Sequence, residues 1–372
     1  MKKISWITPE CFIDVDVPVI AQLRQYFLIR LILVVPEKGI DYKNYVNGFV
    51  GDTQNVEIVY VYEKARLRSP TNLFLYNKIV SIAKAFNPDF YYISLMGMPY
   101  ALPVYKLRLP VGRCVVPCHN VTTPKGANSE MKADVYKNLW LNTFKNIQVF
   151  SECQYEVLKS RYKNKNVLFA YLMLKDYGRP NLKVKKDDGI VRFLFFGNIV
   201  RYKRLDLLLE ASNILIERGE KRFKLTIAGN CKSWREYEEL IKYPEMVDTR
   251  IERIPNEDVA DLFATNDYCV FPYQDIAQSG AITVAFQYNL PTIVSDIPQF
   301  QEFVIDGKTS LSFRNQDADS LADTMQFAID HYADLYDTLK SNQKSLIEVK
   351  FSGETIVNKY KEYFEHIIKE EK

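Results

Sequence analysis

Short apolar runs, most of them ending at a turn residue, alternate along this chain with longer segments in which apolar positions recur every three or four residues. The first pattern fits strands buried on both faces and the second fits amphipathic helices, so the chain reads as repeated strand–helix–strand units with a largely parallel sheet. In the first half, strand-like runs fall at residues 3–7, 31–35, 56–62, 90–94, 114–117, 147–150 and 167–171, with helical stretches such as 72–86 and 131–144 between them. That is enough for one complete doubly wound domain, 1–174. Residues 175–189 contain Gly178, Pro180 and a run of charges, cannot supply a core, and read as a linker.

A second domain follows at 190–350. Its strands are expected at residues 191–196, 223–228, 247–251, 268–271 and 292–295, one helical segment apart. Between the first two, Leu205, Leu208, Leu209, Leu215 and Ile216 recur at helical spacing and Gly219 fits a C-cap. Beyond Asn315 the pattern is mostly helical. The last helix, within 351–372, is long enough to return to the first domain, an expectation that rests on length alone.

Composition narrows the class. At 372 residues, 47% apolar and 26% charged, the chain can bury two cores and has no disordered tract. A net charge of +3, with both signs interspersed, excludes a general affinity for nucleic acid. The basic runs 161–165 and 183–186 could lie against anionic lipid or be solvated faces. The apolar run 4–7 is too short for a signal peptide, and nothing approaches the ~20 residues of a membrane span, so a cytoplasmic protein is expected, with the inner face of the plasma membrane as the alternative place. The six cysteines form no CxxC pair and read as reduced thiols, without a zinc site.

Ligands of open α/β sheets bind beyond the carboxyl ends of the strands, so strand-to-helix turns carry the candidate chemistry. After the strand at 191–196 come Gly197, Asn198, Arg201, Lys203 and Arg204: a glycine that permits close backbone approach, then three cations suited to a pyrophosphate. Charges that merely decorate a loop are the alternative. After the strand at 268–271 the chain runs through Gln278, Ser279, Gly280 and Ala281 into a helix, with backbone amides free for an anion or Ser279 acting only as an N-cap. In the first domain, His119 and Asn120 follow the strand at 114–117; a lone loop histidine can also be a local hydrogen-bonding residue. Asp14 and Asp16 follow the first strand. As carboxylates they suit an acceptor hydroxyl better than a phosphate, and Asp16 could equally be a helix N-cap with Pro18 in the first turn.

Residues 191–313 resemble the retaining GT-B glycosyltransferases of family 4 (glycosyl transferases group 1). The matching strings are FFGNIVRYKRLDLLLEA, KLTIAGN, NEDVADLFATNDYCVFPY, QSGAITVAFQYNLPTIVSD and FQEFVIDGKTSLSF. The resemblance implies an α/β GT-B fold, two Rossmann-like doubly wound domains facing across a cleft. It places Lys203 on the lysine that meets the donor's distal phosphate, Gln278, Ser279 and Gly280 in the loop that holds phosphate and sugar, and His119 and Asn120 at the turn bordering the donor sugar. The chain departs from the family at Ile276 and Val284, where many members carry two glutamates eight positions apart, and at Asn198 in place of an arginine. The QSG form resembles a branch without the glutamate pair.

The expected activity is transfer of a hexose from a UDP- or GDP-linked sugar to a hydroxyl of a glycan or lipid-linked glycan, with retention, in cell-surface polysaccharide synthesis. Lys203 and Arg201 would stabilise the leaving diphosphate and His119 would act at the reacting centre. No metal or other cofactor is expected, because no DxD triplet stands in a fitting place. The rivals are a nucleotide-sugar epimerase of the same fold and a catalytically silent partner subunit.

Overall fold

A computed structural model of the chain describes all residues except 38–41, 43–45, 48–49, 51–53, 64–68, 95–99, 123–129, 183–187 and 371–372. The basic run at 183–186 therefore lies outside the described residues. The chain forms two compact units, one of residues 1–123, 128–173 and 352–372, the other dominated by Leu174–Phe351.

The first unit is built on a parallel sheet of β1 (Lys2–Pro9), β2 (Phe27–Pro36), β3 (Val56–Glu63), β4 (Phe90–Ile93), β5 (Cys114–Pro117), β6 (Asn146–Val149) and β7 (Asn166–Phe169). Their order is β3-β2-β1-β4-β5-β6-β7, and every neighbouring pair is parallel. The central strands are buried on both faces, which is why they read as unbroken apolar runs. The terminal helix Gly353–Glu370 belongs to this unit. Phe364 packs on Phe90 at 4.5 Å and edge-on to Phe27 at 5.9 Å, and the Tyr360 hydroxyl accepts a hydrogen bond from Gln148 Nε2. Buried aromatics with a satisfied polar group therefore fix this helix, a signal that length alone does not carry.

The second unit has β8 (Val191–Phe196), β9 (Phe223–Ala228), β10 (Val247–Arg250), β11 (Tyr268–Phe271), β12 (Thr292–Ser295) and β13 (Ser310–Phe313), in the order β10-β9-β8-β11-β12-β13 and parallel throughout. β13 is absent from the sequence expectation. Half its residues are serines, yet Ser310 is buried in the sheet and its hydroxyl donates to the Thr292 carbonyl at 2.7 Å. Residues 174–182 run along this unit without regular structure, and Asp261 accepts from the amides of Asn181 and Leu182.

Both sheets reverse their winding beside the first strand of each unit, between β1 and β4 and between β8 and β11. A doubly wound sheet opens a crevice at such a point, because the two connecting helices leave towards opposite faces.

Candidate functional site

In the second unit the crevice lies between the loops that leave β8 and β11, which are the two turns singled out in the sequence. β8 gives way to Gly197 at φ +107°, a left-handed conformation that favours glycine, while its N–H still donates to the Ala228 carbonyl at 2.9 Å. The close approach comes from β9 as well: a Cβ on Gly229 would fall 2.1 Å from the Gly197 carbonyl oxygen, so no side chain fits there. Asn198 is exposed, and Ile199 donates to the Asn230 carbonyl, extending the pairing beyond the strand.

The three cations that follow are not equivalent. Arg201 is 84% exposed and stands 3.9 Å from the Glu236 carboxylate. Arg204, at φ +51°, turns back so that its Nε meets both Asp206 oxygens at 2.9 and 3.1 Å and its guanidinium reaches Gln316. Both arginines border an open depression of about 490 Å³ in which Asp206 and Glu236 offset their charge. Lys203 has no ion-pair partner among the described residues. Its ammonium lies 5.2 Å from the centre of the Tyr273 ring, and burial pulls its pKa down from 10.5 to about 8. A desolvated cation with no counterion is a prepared anion site.

Tyr273 links this cation to the β11 loop. Its backbone carbonyl accepts from Ser295 Oγ at 2.6 Å, and its ring lies under Lys203. Ser279 does cap the helix Gly280–Gln287, accepting from the Ile282 amide at 3.3 Å. The cap leaves the Gly280 and Ala281 amides in the first turn without an intrahelical acceptor. A Cβ on Gly280 would sit 3.7 Å from Lys175 Nζ, which brings a further cation to the same loop. Ile276 and Val284 are buried apolar residues, 5% and 1% exposed. Sequence reasoning missed Tyr273 and Lys175. The first stands inside the string NEDVADLFATNDYCVFPY, and the second was assigned to the linker.

In the first unit, His119 leaves β5 half-buried between two rings, 4.2 Å from Phe12 and 4.4 Å from Phe150, with interplanar angles of 4° and 19°. Asn120 beside it is exposed. Asp14 and Asp16 both lie inside the helix Ile13–Leu23, whose N-cap position is Phe12, so the N-cap reading of Asp16 is corrected. Asp16 is 2% exposed and accepts from Thr8 Oγ1 at 2.7 Å and Ser94 Oγ at 2.6 Å, residues at the ends of β1 and β4. Its carboxyl fills the crevice of this sheet and faces protein rather than solvent, which does not fit the acceptor contact expected of it. Asp14 is half-exposed.

Burial raises the Asp16 carboxyl to about 6, above the ordinary 3.8. Between those values the folded state holds more protons than the unfolded state, so stability falls as pH rises through the window, and the penalty is complete above about 6. Asp16→Asn keeps an acceptor for both hydroxyls and removes the charge. It is expected to raise stability at pH 7.5 by an amount on the order of 2 kcal/mol and to flatten the stability profile between pH 4 and pH 6, checked by denaturation across pH.

No group of three His, Cys, Asp or Glu side chains able to hold a metal ion occurs among the described residues, and no described helix is long and apolar enough to cross a membrane.

Residues 191–331 match the family described as Glycosyl transferases group 1. No curated protein matches the chain. Among solved structures, a glycosyltransferase from Rickettsia africae ESF-5 is similar at 16% identity over 99% of both chains, with a TM-score of 0.75. Anabaena Alr3699/HepE in complex with UDP and glucose is similar at 15% identity over 98% of this chain and 100% of that one, with a TM-score of 0.71. Sucrose-phosphate synthase from Thermosynechococcus elongatus follows at 16% identity over 99% of both chains, with a TM-score of 0.72. With the GT-B fold over its length and a group 1 glycosyltransferase match across most of its second unit, the chain is an enzyme of the glycosyltransferase class.

Proposed function

We propose that this enzyme transfers a hexose from a nucleoside diphosphate sugar, UDP- or GDP-linked, to a hydroxyl of a glycan or lipid-linked glycan, with retention at the anomeric carbon. The observation that carries the reading is Lys203, a desolvated cation without an ion-pair partner among the described residues, placed between a glycine turn and the capped start of the helix Gly280–Gln287. Charge grows on the distal phosphate as the sugar leaves, and a fixed cation with preorganised amides stabilises that charge without reorganising. The complexes of Anabaena Alr3699/HepE with UDP and with UDP-glucose support a uridine donor. Lys203 serves here as the catalytic cation, Arg201 as a second, exposed one, Gly197, Asn198, Gln278, Ser279, Gly280 and Ala281 as donor contacts, and Asn120 and Asp14 as acceptor contacts. Arg204, held by Asp206, shapes the donor loop. Synthesis of a surface polysaccharide, with the protein in the cytoplasm or peripheral to the inner membrane face, fits such an acceptor.

A thermal-shift screen of UDP, GDP and their sugars tests the donor class, since a ligand at a hundred times its dissociation constant adds roughly 2.7 kcal/mol of stability. Transfer of radiolabelled sugar is then expected to survive thorough chelation with EDTA, because the leaving diphosphate is met by Lys203. Loss of transfer, restored by magnesium or manganese, would contradict that assignment.

The depressed pKa of Lys203 gives a second signature. Near pH 8 the free enzyme holds this lysine about half protonated, and a bound diphosphate favours the charged form. Binding at pH 8 is expected to take up about half a proton, and affinity to fall as pH rises from about 8 towards 10.5. Calorimetry in two buffers of unlike ionisation enthalpy measures the uptake, which Lys203→Ala should abolish.

A further inference from the structure

The loop from β11 to the helix Gly280–Gln287 carries a polar side chain whose chemistry is incomplete. Asp275 accepts from Gln299 Nε2 at 3.2 Å, and Ser279 caps the helix. Gln278 is different: its side-chain carbonyl oxygen is buried and meets no hydrogen-bond donor. A buried acceptor without a donor is costly, and folded proteins keep few of them. The positions that resemble the family's paired glutamates are Ile276 and Val284, whose buried apolar side chains have no acceptor to offer.

We infer that Gln278 is the residue that reads the transferred sugar: its side-chain carbonyl accepts a hydrogen bond from one hydroxyl of the hexose and thereby selects which hexose the site admits. The inference rests on the glycosyl-transfer reading above and adds the sugar contact to it. The chemistry of the orphan atom chooses the ligand group. Phosphate oxygens are acceptors and would repel a carbonyl, whereas a sugar hydroxyl donates. A site built to pair with a hydroxyl discriminates strongly against a sugar that lacks it, because the buried partner is then left unpaired. Asp275 does not compete for this role, since Gln299 already engages its carboxylate.

The test uses the full chain, a donor chosen by binding from UDP-glucose, UDP-N-acetylglucosamine and GDP-mannose, and the monodeoxy analogues of that donor. In Gln278→Leu the affinity for the nucleoside diphosphate alone is expected to stay within about two-fold of wild type, while kcat/KM for the sugar donor falls by about ten-fold or more. One deoxy analogue should be penalised by a similar factor in the wild type and by nothing further in the variant. Gln278→Glu, which keeps the acceptor, should retain the discrimination. The free Gln278→Leu protein should melt no lower than wild type, because the substitution removes an unsatisfied buried atom, and this separates loss of a contact from loss of the fold.

Equal loss of nucleoside diphosphate and sugar-donor binding in Gln278→Leu would overturn the inference. So would a variant that penalises every deoxy analogue as the wild type does, the result expected if an ordered water is the true partner. A wild-type protein that binds none of the three donors instead overturns the glycosyl-transfer reading, and this inference with it.

Discussion

Lys203→Ala should lower the turnover number by about 100- to 1,000-fold, the effect of removing one preorganised donor of roughly 2.7–4 kcal/mol at a developing oxyanion. The loss should appear mainly in kcat. The ammonium meets a phosphate whose charge increases as the glycosidic bond breaks, so its interaction is stronger in the transition state than in the ground state. Affinity for the corresponding nucleoside monophosphate, which has no distal phosphate, should be unchanged. Stability separates this outcome from simple damage. Lys203 is desolvated without a counterion among the described residues, and its ammonium lies over the Tyr273 ring, so Lys203→Met, which keeps an apolar stem, should leave the free protein equally or more stable. A Lys203→Ala enzyme that turns over at the wild-type rate would remove this residue from the mechanism.

The unequal fates of Arg201, Lys203 and Arg204 show what a sequence can and cannot supply. All three fall in the four positions 201–204 after Gly197, and beyond the family resemblance that singles out Lys203 their letters give no physical reason to rank them. Ranking needs the counterions: Asp206 engages Arg204, Glu236 approaches Arg201, and nothing charged among the described residues meets Lys203. The strands were legible because parallel sheets bury both faces, and the switch point followed from strand order once the sheet was formed. β13 was not legible, since two of its four residues are serines and so mimic a loop, although Ser310 is buried in the sheet and bonds its hydroxyl there to Thr292. The helix Ala101–Arg108 was missed for a related reason: it holds Pro103 in its first turn and follows Tyr100 at φ +67°, without a side-chain cap.

Asp16 makes the same point from the other side. A carboxylate after the first strand looks functional in a sequence, because the cost of burying it is invisible there. Thr8 and Ser94, far from each other in the chain, provide the two hydroxyls that offset part of that cost. Only the pairing of β1 with β4 brings them together.

His119 should show its role through a pair of substitutions rather than one. The ring lies nearly parallel to Phe12 and within 19° of Phe150, so His119→Ala removes both a stacked surface and two nitrogens. That variant is expected to lose transfer by ~100-fold or more, the usual scale for a positioned polar side chain at a reacting centre, with nucleoside diphosphate affinity nearly intact because the proposed phosphate contacts belong to the second unit. His119→Phe refills the stack and supplies no nitrogen. If imidazole chemistry matters, His119→Phe should melt close to wild type and still transfer as poorly as His119→Ala. If the ring is only a filler between two phenylalanines, His119→Phe should instead recover transfer, and the catalytic assignment of His119 falls.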